Sequence, residues 1–306
     1  MNCPDAEHWE EAIQKELYSL KKMGTFEEYN SLPTGHKAID AKLVFKIKRN
    51  ADGSIEHYKA RLVAKGYYQM PGVDFDETFA PVVKLTSIRV LCALAVRLHL
   101  YFDHLDVETA FLNGLLDVQL YLCFPKGCGV FTGKVVRLLH SIYGLRQASC
   151  VWNNLLDAEL AKLGYKWIHA DFCIYVYRDG DVICFLAVYV DDMALLGTDR
   201  SVMAEHKRLL SLRFKIKDLG PVRQILGHEI NYDHEHQVIH LFQTRYIQES
   251  LERYNITDGH SHPTPLSSAI KLSKDDCPQT EAEKEMMCSY PYQSLIGTLM
   301  YPMLGT

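Results

Sequence analysis

No run in this chain is apolar for long enough to span a membrane, which takes about 20 residues. The opening residues, Met1-Asn2-Cys3-Pro4-Asp5, lack the basic and apolar regions of a secretory signal, so an intracellular protein is expected. The nine cysteines form no C-x-x-C pair, and the spacing of Cys123 and Cys128 has no matching second pair. That argues against zinc and fits thiols kept reduced. Positive charge is not in excess. Lys and Arg number 33 against 38 Asp and Glu, a net charge of −5, so the whole chain is not a basic nucleic-acid binder. One cleft can still be basic, because net charge says little about a local groove. Internal repeats and low-complexity tracts are also missing. What remains is an ordinary globular composition, 48% hydrophobic and 23% charged, in 306 residues. That length suffices for two or more compact units.

Periodicity supplies the elements. Trp9, Ile13, Leu17 and Leu20 recur at three- and four-residue steps and predict a helix over 5–22. Alternation predicts a strand over 43–48 and a return strand over 58–65, with Asn50-Ala51-Asp52-Gly53 as the turn. This hairpin carries Lys46, Lys48, Arg49, Lys59, Arg61 and Lys65, either as a solvated face or as a basic wall turned toward a ligand. A helix over 86–99 capped by Thr86 or Ser87, a strand over 101–106, a helix over 147–163 and strands over 172–178 and 182–189 follow. Ser201 is expected to cap a helix reaching Phe214. Residues 222–231 and 237–242 read as a hairpin, 243–254 as a helix and 258–289, with Pro263, Pro265 and Pro278, as a linker. This order is mixed α/β (α+β) around an antiparallel sheet.

Within it, Tyr189-Val190-Asp191-Asp192 interrupts the apolar run from Cys184 to Gly197 and reads as two strands with the acidic pair at their turn. Buried anions are costly unless a cation or donors compensate. Oxygens on a rigid support are what a hard divalent cation takes. A solvated Asp-Asp turn fits the same residues. Asp106 ends the strand over 101–106, so three carboxylates from separate segments can meet at one sheet edge. Such a trio suits two Mg²⁺ ions about 3.5–4 Å apart in phosphoryl transfer.

Ordered blocks across the chain then carry a family resemblance. They are 58–66 (YKARLVAKG), 74–89 (DFDETFAPVVKLTSIR), 105–114 (LDVETAFLNG), 142–148 (IYGLRQA) and 189–192 (YVDD). Asp218-Leu219-Gly220 followed by Leu226-Gly227, and 292–301 (YQSLIGTLMY), complete the set. Together they resemble the reverse transcriptase domain of Ty1/copia-type LTR retrotransposon polyproteins, from about residue 8 to residue 301. The resemblance implies a polymerase right-hand fold, with an antiparallel palm sheet plus helices, a fingers hairpin and a partial thumb and connection. The implied bounds are fingers 1–85, palm 86–242 with a fingers insertion at about 115–146, and thumb with the start of the connection 243–306.

The implied activity is that of an RNA-directed DNA polymerase, a nucleotidyltransferase using dNTPs, a primer and an RNA or DNA template, with two Mg²⁺ (or Mn²⁺) ions. Asp106, Asp191 and Asp192 match the catalytic, metal-binding aspartates, and Val107 would add a backbone carbonyl. Lys59 and Arg61 match the triphosphate side. Phe111 matches the aromatic under the incoming sugar, or serves as a core aromatic. Tyr143 and Gly144 match the dNTP-proximal segment, and Arg146 and Tyr189 the template and primer contacts. Leu226 and Gly227 match the hairpin that grips the primer, although Gly227 suits a plain turn equally.

Some positions depart from the family pattern. Ser149-Cys150 stand where proline is usual. Val118, Cys123 and Phe124-Pro125 occupy a block that is usually more acidic, and Cys128 replaces a common aromatic. None of these removes a catalytic carboxylate. Protease, integrase and RNase H motifs are not visible, so this chain alone is not expected to degrade the template. RNase H, integrase and capsid from the same polyprotein are the implied partners, in a cytoplasmic particle and the nucleus rather than at a membrane. The alternative is a truncated or decayed transposon relic that folds and binds nucleic acid with little catalysis.

Overall fold

The computed structural model describes residues 4–29, 31–49, 54–256, 259, 271 and 273–304. The chain divides into two compact units, Met1–Lys84 with Leu100–Pro221, and Leu85–His99 with Val222–Thr306. These units follow packing. The fingers, palm and thumb bounds are a division by function and enter below as part of the proposal.

In the first unit, helix α1 (Ala6–Lys22) buries the predicted stripe of Ile13, Leu17 and Leu20 together with Ala12. It packs on a sheet of five strands, β1 (Phe26–Tyr29), β2 (Ala38–Arg49), β3 (Ile55–Ala64), β5 (Leu115–Cys123) and β6 (Val135–His140). Their order is β1-β6-β5-β2-β3. Residues 115–146 supply β5 and β6, and β5 runs parallel to the start of β2. The β2–β3 hairpin is longer than its alternating cores suggested, and its expected turn at 50–53 lies outside the described residues.

The second sheet of this unit contains β4 (Tyr101–Val107), β7 (Lys166–Ile168), β8 (Asp171–Asp179), β9 (Val182–Tyr189), β10 (Asp192–Gly197) and β11 (Ile216–Pro221). Its order is β11-β4-β10-β9-β8-β7, antiparallel throughout as expected. Helices α3 (Ala148–Lys162) and α4 (Arg200–Arg213) share one core with it, in which Trp152, Leu156, Leu160, Met203 and Leu210 meet Leu105, Val107, Leu186, Val188, Met193 and Leu195. Each such buried side chain contributes about 1.5–3 kcal/mol of transfer free energy. The alternation of a strand then fixes what faces away. With Leu105 and Val107 in this core, His104 and Asp106 take the opposite face, and a one-residue slip would exchange them. Asp103, 4% exposed on the core side, is compensated by Lys207 of α4, whose Nζ donates to it at 2.6 Å. The α4 cap is Asp199, not Ser201. Its carboxylate accepts from the backbone N–H groups of Ser201 and Val202, while Ser201 lies inside the helix and its own hydroxyl donates to Asp199.

The second unit holds α2 (Leu85–Arg97), α5 (Thr244–Arg253), α6 (Glu281–Cys288), α7 (Tyr292–Met300) and a three-stranded sheet of β12 (Gln224–Ile225), β13 (His228–Asp233) and β14 (Val238–Phe242). Helix α2 begins at Leu85, so Thr86 and Ser87 lie inside it and neither caps it. The expected strand over 222–231 is broken. Leu226 and Gly227, with φ of +49° and +76°, turn the chain back between β12 and β13. The expected linker over 258–289 contains α6, started by a reciprocal cap between Thr280 and Glu283. Residues 260–270 of that linker lie outside the described ones. Among the described residues no helix is long and apolar enough to cross a membrane.

Candidate active site

Asp106 and Asp192 are directly paired residues of β4 and β10. Cross-strand partners project on the same face with Cβ atoms about 4.5–5.5 Å apart, so both carboxylates leave the face that carries His104. Asp191 belongs to the two-residue turn between β9 and β10, and its carbonyl accepts from the Val107 N–H at 2.8 Å. Asp106 and Asp192 thus lie side by side near the ends of interior strands, with Asp191 in the adjoining turn. Burial pushes the Asp106 carboxyl up, and the charges of Asp191 and Asp192 push it further, while His104 and Lys59 pull it back in part. The crowding is electrostatic and incompletely compensated.

Two features of the site were not legible in the sequence. His104 Nε2 lies 3.1 Å from Asp192 Oδ1, so one oxygen of that carboxylate already has a partner. Among the described residues, moreover, no group of three His, Cys, Asp or Glu side chains forms a ready cation cluster. The donor set still fits a hard divalent cation, being all oxygen and short of positive charge.

The basic hairpin sorts its cations by strand parity. Lys46 and Lys59 are cross-strand partners, Lys48 and Arg61 lie two residues from them, and these four share one face. Lys59 is half-buried. Burial and the neighbouring charges of Arg61 and Lys48 lower its pKa, and Glu16 and Asp106 counteract them. Glu16, on α1, accepts from the Leu62 N–H at 2.9 Å, and burial raises its carboxyl. Lys65 is withdrawn from the set by Asp40 at 3.3 Å.

Arg61, Tyr143 and Phe111 form one stack. The guanidinium carbon of Arg61 stands 4.3 Å from the centre of the Tyr143 ring, and that ring meets Phe111 edge-on at 4.9 Å. Such contacts orient a cation without neutralising it. Phe111 also packs against both cores of the unit, so the core role and the site role converge on one side chain. Gly144 has φ of +93°, and a Cβ there would lie 2.1 Å from the Ala64 carbonyl oxygen. The Ala64 N–H in turn donates to the Tyr143 carbonyl at 2.8 Å, so Gly144 is a close-approach position that seats Tyr143 on β3.

Arg146 is tied to the backbone, its Nε donating to the Gly66 carbonyl at 3.2 Å. Gln147, buried, accepts from Gln69 Nε2 and donates to the Asp74 carbonyl, both at 3.0 Å. Both polar ends of this side chain are thus engaged within the protein. Tyr189 is 39% exposed at the end of β9. Leu226 and Gly227 belong to the second unit, where the Tyr301 hydroxyl donates to the Leu226 carbonyl at 3.1 Å. The departures at Cys128 and Cys150 are absorbed by burial, which raises both thiols, Cys128 to about 11.

The structure thus brings together a carboxylate pair across the central strands of an antiparallel sheet, a third acidic residue in the adjoining hairpin turn and, in the same unit, a basic hairpin. The profile of the family described as reverse transcriptase (RNA-dependent DNA polymerase) matches residues 25–268, and the chain belongs to that family. It is 42% identical over 309 residues to the retrovirus-related Pol polyprotein from transposon TNT 1-94 of Nicotiana tabacum, covering 100% of this chain and 23% of that protein. It is 34% identical over 300 residues to the corresponding polyprotein from transposon RE1 of Arabidopsis thaliana, covering 96% of this chain and 20% of the relative. Against the Ty1-DR5 Gag-Pol polyprotein of Saccharomyces cerevisiae the identity is 27% over 313 residues, or 97% of this chain and 17% of the relative. The chain thus spans less than a quarter of each of these relatives. Among solved structures, apo telomerase from Candida Tropicalis, truncated from its C-terminal domain, aligns with a TM-score of 0.36 and 9% identity over 76% of this chain and 60% of that one. The membership expected from the sequence blocks, in the Ty1/copia-type reverse transcriptases, is borne out.

Proposed function

We propose that this chain is the polymerase domain of a copia-type Pol polyprotein, an RNA-directed DNA polymerase that joins a primer 3′-OH to the α-phosphate of a dNTP and releases pyrophosphate. The observation that carries the reading is the cross-strand pairing of Asp106 with Asp192 beside Asp191, with the Asp106 carboxyl raised by burial and then by their charges. Asp106, Asp191, Asp192 and the Val107 carbonyl would hold Mg²⁺ or Mn²⁺, two ions in the proposed mechanism, supplying Lewis-acid activation of the 3′-oxygen and charge stabilisation at the leaving group. The register of β4 and β10, which sets Asp106 and Asp192 on one face, supports this reading.

Lys59 and Arg61 then counter the triphosphate charge, with Arg61 oriented by the Tyr143 ring. Gly144 lets Tyr143 approach β3. Arg146 and Tyr189 are assigned to template and primer, Arg146 through the Gly66 loop it holds, and Leu226 and Gly227 to the primer. In this scheme 1–85 serve as fingers, 86–242 as palm and 243–306 as thumb and connection. The remaining polyprotein products, RNase H, integrase and capsid, are proposed partners in an intracellular particle.

Poly(rA)/oligo(dT) with dTTP and Mg²⁺ or Mn²⁺ tests the reading directly, with primer extension as the expected result. A folded chain that binds the duplex and extends nothing would favour the relic, to which the positions at 118–128 and 149–150 point. Replacing Lys59 and Arg61 together by Ala is expected to raise the KM for dTTP about tenfold or more, as for loss of a phosphate clamp. An unchanged KM assigns them to the solvated surface. Phe111→Val is expected to admit ribonucleotides while keeping much of the dNTP activity, because a ring under the sugar need only reject the 2′-OH. Its packing against both cores also predicts a stability loss of about 1–3 kcal/mol. If stability falls and the dNTP/rNTP ratio does not move, the ring is packing alone.

A further inference from the structure

The acidic turn is held from beneath by a residue outside the blocks that carry the family resemblance. Val190, between Tyr189 and Asp191, has φ of +56°, a left-handed conformation that a β-branched residue rarely adopts. Its carbonyl oxygen accepts from the indole N–H of Trp152, on α3, at 2.8 Å. Trp152 is 2% exposed, and its ring meets Phe214 edge-on at 5.0 Å. Asp191, the next residue, has its carbonyl bonded to the Val107 N–H of β4 at 2.8 Å. Two successive carbonyls of the turn are therefore fixed, one by the strand that carries Asp106 and one by a buried indole. The side chains that project from this turn stand where those two bonds put the backbone.

We propose that Trp152 is a positioning residue for the reaction, whose indole N–H holds Val190 in its strained conformation and so sets the placement of Asp191 and Asp192. The inference rests on the polymerase reading above and deepens it. A valine released from this bond relaxes toward negative φ, which rotates the peptide that leads into Asp191. Without the indole N–H the Val190 carbonyl loses the donor that the protein supplies. Glycine would not need the bond, since positive φ costs it nothing.

The test separates positioning from packing. Trp152→Phe keeps a ring and removes the donor. Benzothienylalanine at 152, with sulfur in place of the indole N–H, keeps the shape as well and decides the matter if the Phe variant does not fold. Either is expected to lower kcat for dTTP incorporation roughly tenfold, the size of one lost hydrogen bond, and to weaken Mn²⁺ binding measured calorimetrically without nucleotide, with little change in KM. Phe214→Leu removes the ring packing and leaves the N–H, so it should lower Tm without moving kcat or Mn²⁺ affinity. In a Val190→Gly background, Trp152→Phe should cost less than about threefold, a coupling that independent sites would not show. Wild-type kcat and Mn²⁺ affinity in the sulfur analogue, or an equal loss in both backgrounds, overturns the inference while leaving the polymerase reading intact. A wild-type chain that neither binds Mn²⁺ nor extends a primer overturns both.

Discussion

Asp191→Asn is expected to abolish primer extension, by at least on the order of 10²–10³-fold, while the protein stays folded. The amide keeps the size and the turn backbone but removes an anion from a site whose proposed work is to hold cations. The carbonyl that ties the turn to β4 belongs to the backbone of Asp191, so the substitution leaves that bond in place. Stability provides a second readout with a definite sign. The Asp106 carboxyl is raised by burial and by Asp191 and Asp192, so the folded state keeps its proton to higher pH than the unfolded chain does. Its contribution to stability is fully present below the ordinary carboxylate pKa and is lost as pH rises through the raised value. Removing the charge at 191 should shrink that loss, so without added metal the melting temperature of the variant near neutral pH should equal or exceed that of the wild type. Activity equal to the wild type would count decisively against the mechanism. A large fall in melting temperature would make Asp191 a structural residue.

Gly144→Ala is expected to have the largest effect on stability. The added Cβ would stand 2.1 Å from the Ala64 carbonyl oxygen and 2.7 Å from Val63 Cγ1, on a residue whose φ is +93°. Strain and backbone overlap together should cost about 3 kcal/mol or more. That corresponds to a fall in melting temperature of roughly 10 °C for a unit of this size, measurable by circular dichroism. Gly66 makes a separate close approach to the same segment, since its own Cβ would lie 2.1 Å from the Gly144 carbonyl oxygen. Relief at one of these positions therefore cannot repair the other. Because Gly144 seats Tyr143, and Tyr143 orients Arg61, any folded Gly144→Ala protein should also show a raised KM for dTTP. An unchanged melting temperature would mean that the approach of the 142–148 segment to β3 is looser than the structure has it.

The sequence by itself determined the elements and the chemistry each carries. The three- and four-residue stripe of Ile13, Leu17 and Leu20 makes α1, and alternation makes β2 and β3. The interruption of an apolar run by Asp191 and Asp192 makes a hairpin with acid at its turn. These are local statements, and local periodicity suffices for them. Termini were less legible. Asp199 displaced Ser201 as the α4 cap, and Leu226-Gly227 broke a strand, because a cap or turn depends on one or two residues whose competition periodicity does not register. Tertiary structure alone decided the rest. The pairing of position 106 with 192 is a register between strands far apart in the chain. The His104 contact to Asp192, the Trp152 bond to Val190 and the Arg61–Tyr143–Phe111 stack join side chains whose spacing in sequence carries no period. The same holds for the pairing that sets four of the six hairpin cations on one face, and for the ion pair of Lys65 with Asp40. Sequence placed charge and carboxylate on particular strands and turns. Which of them stand close enough to act on one another depends on how sheets and helices pack, and packing is settled by the whole core at once.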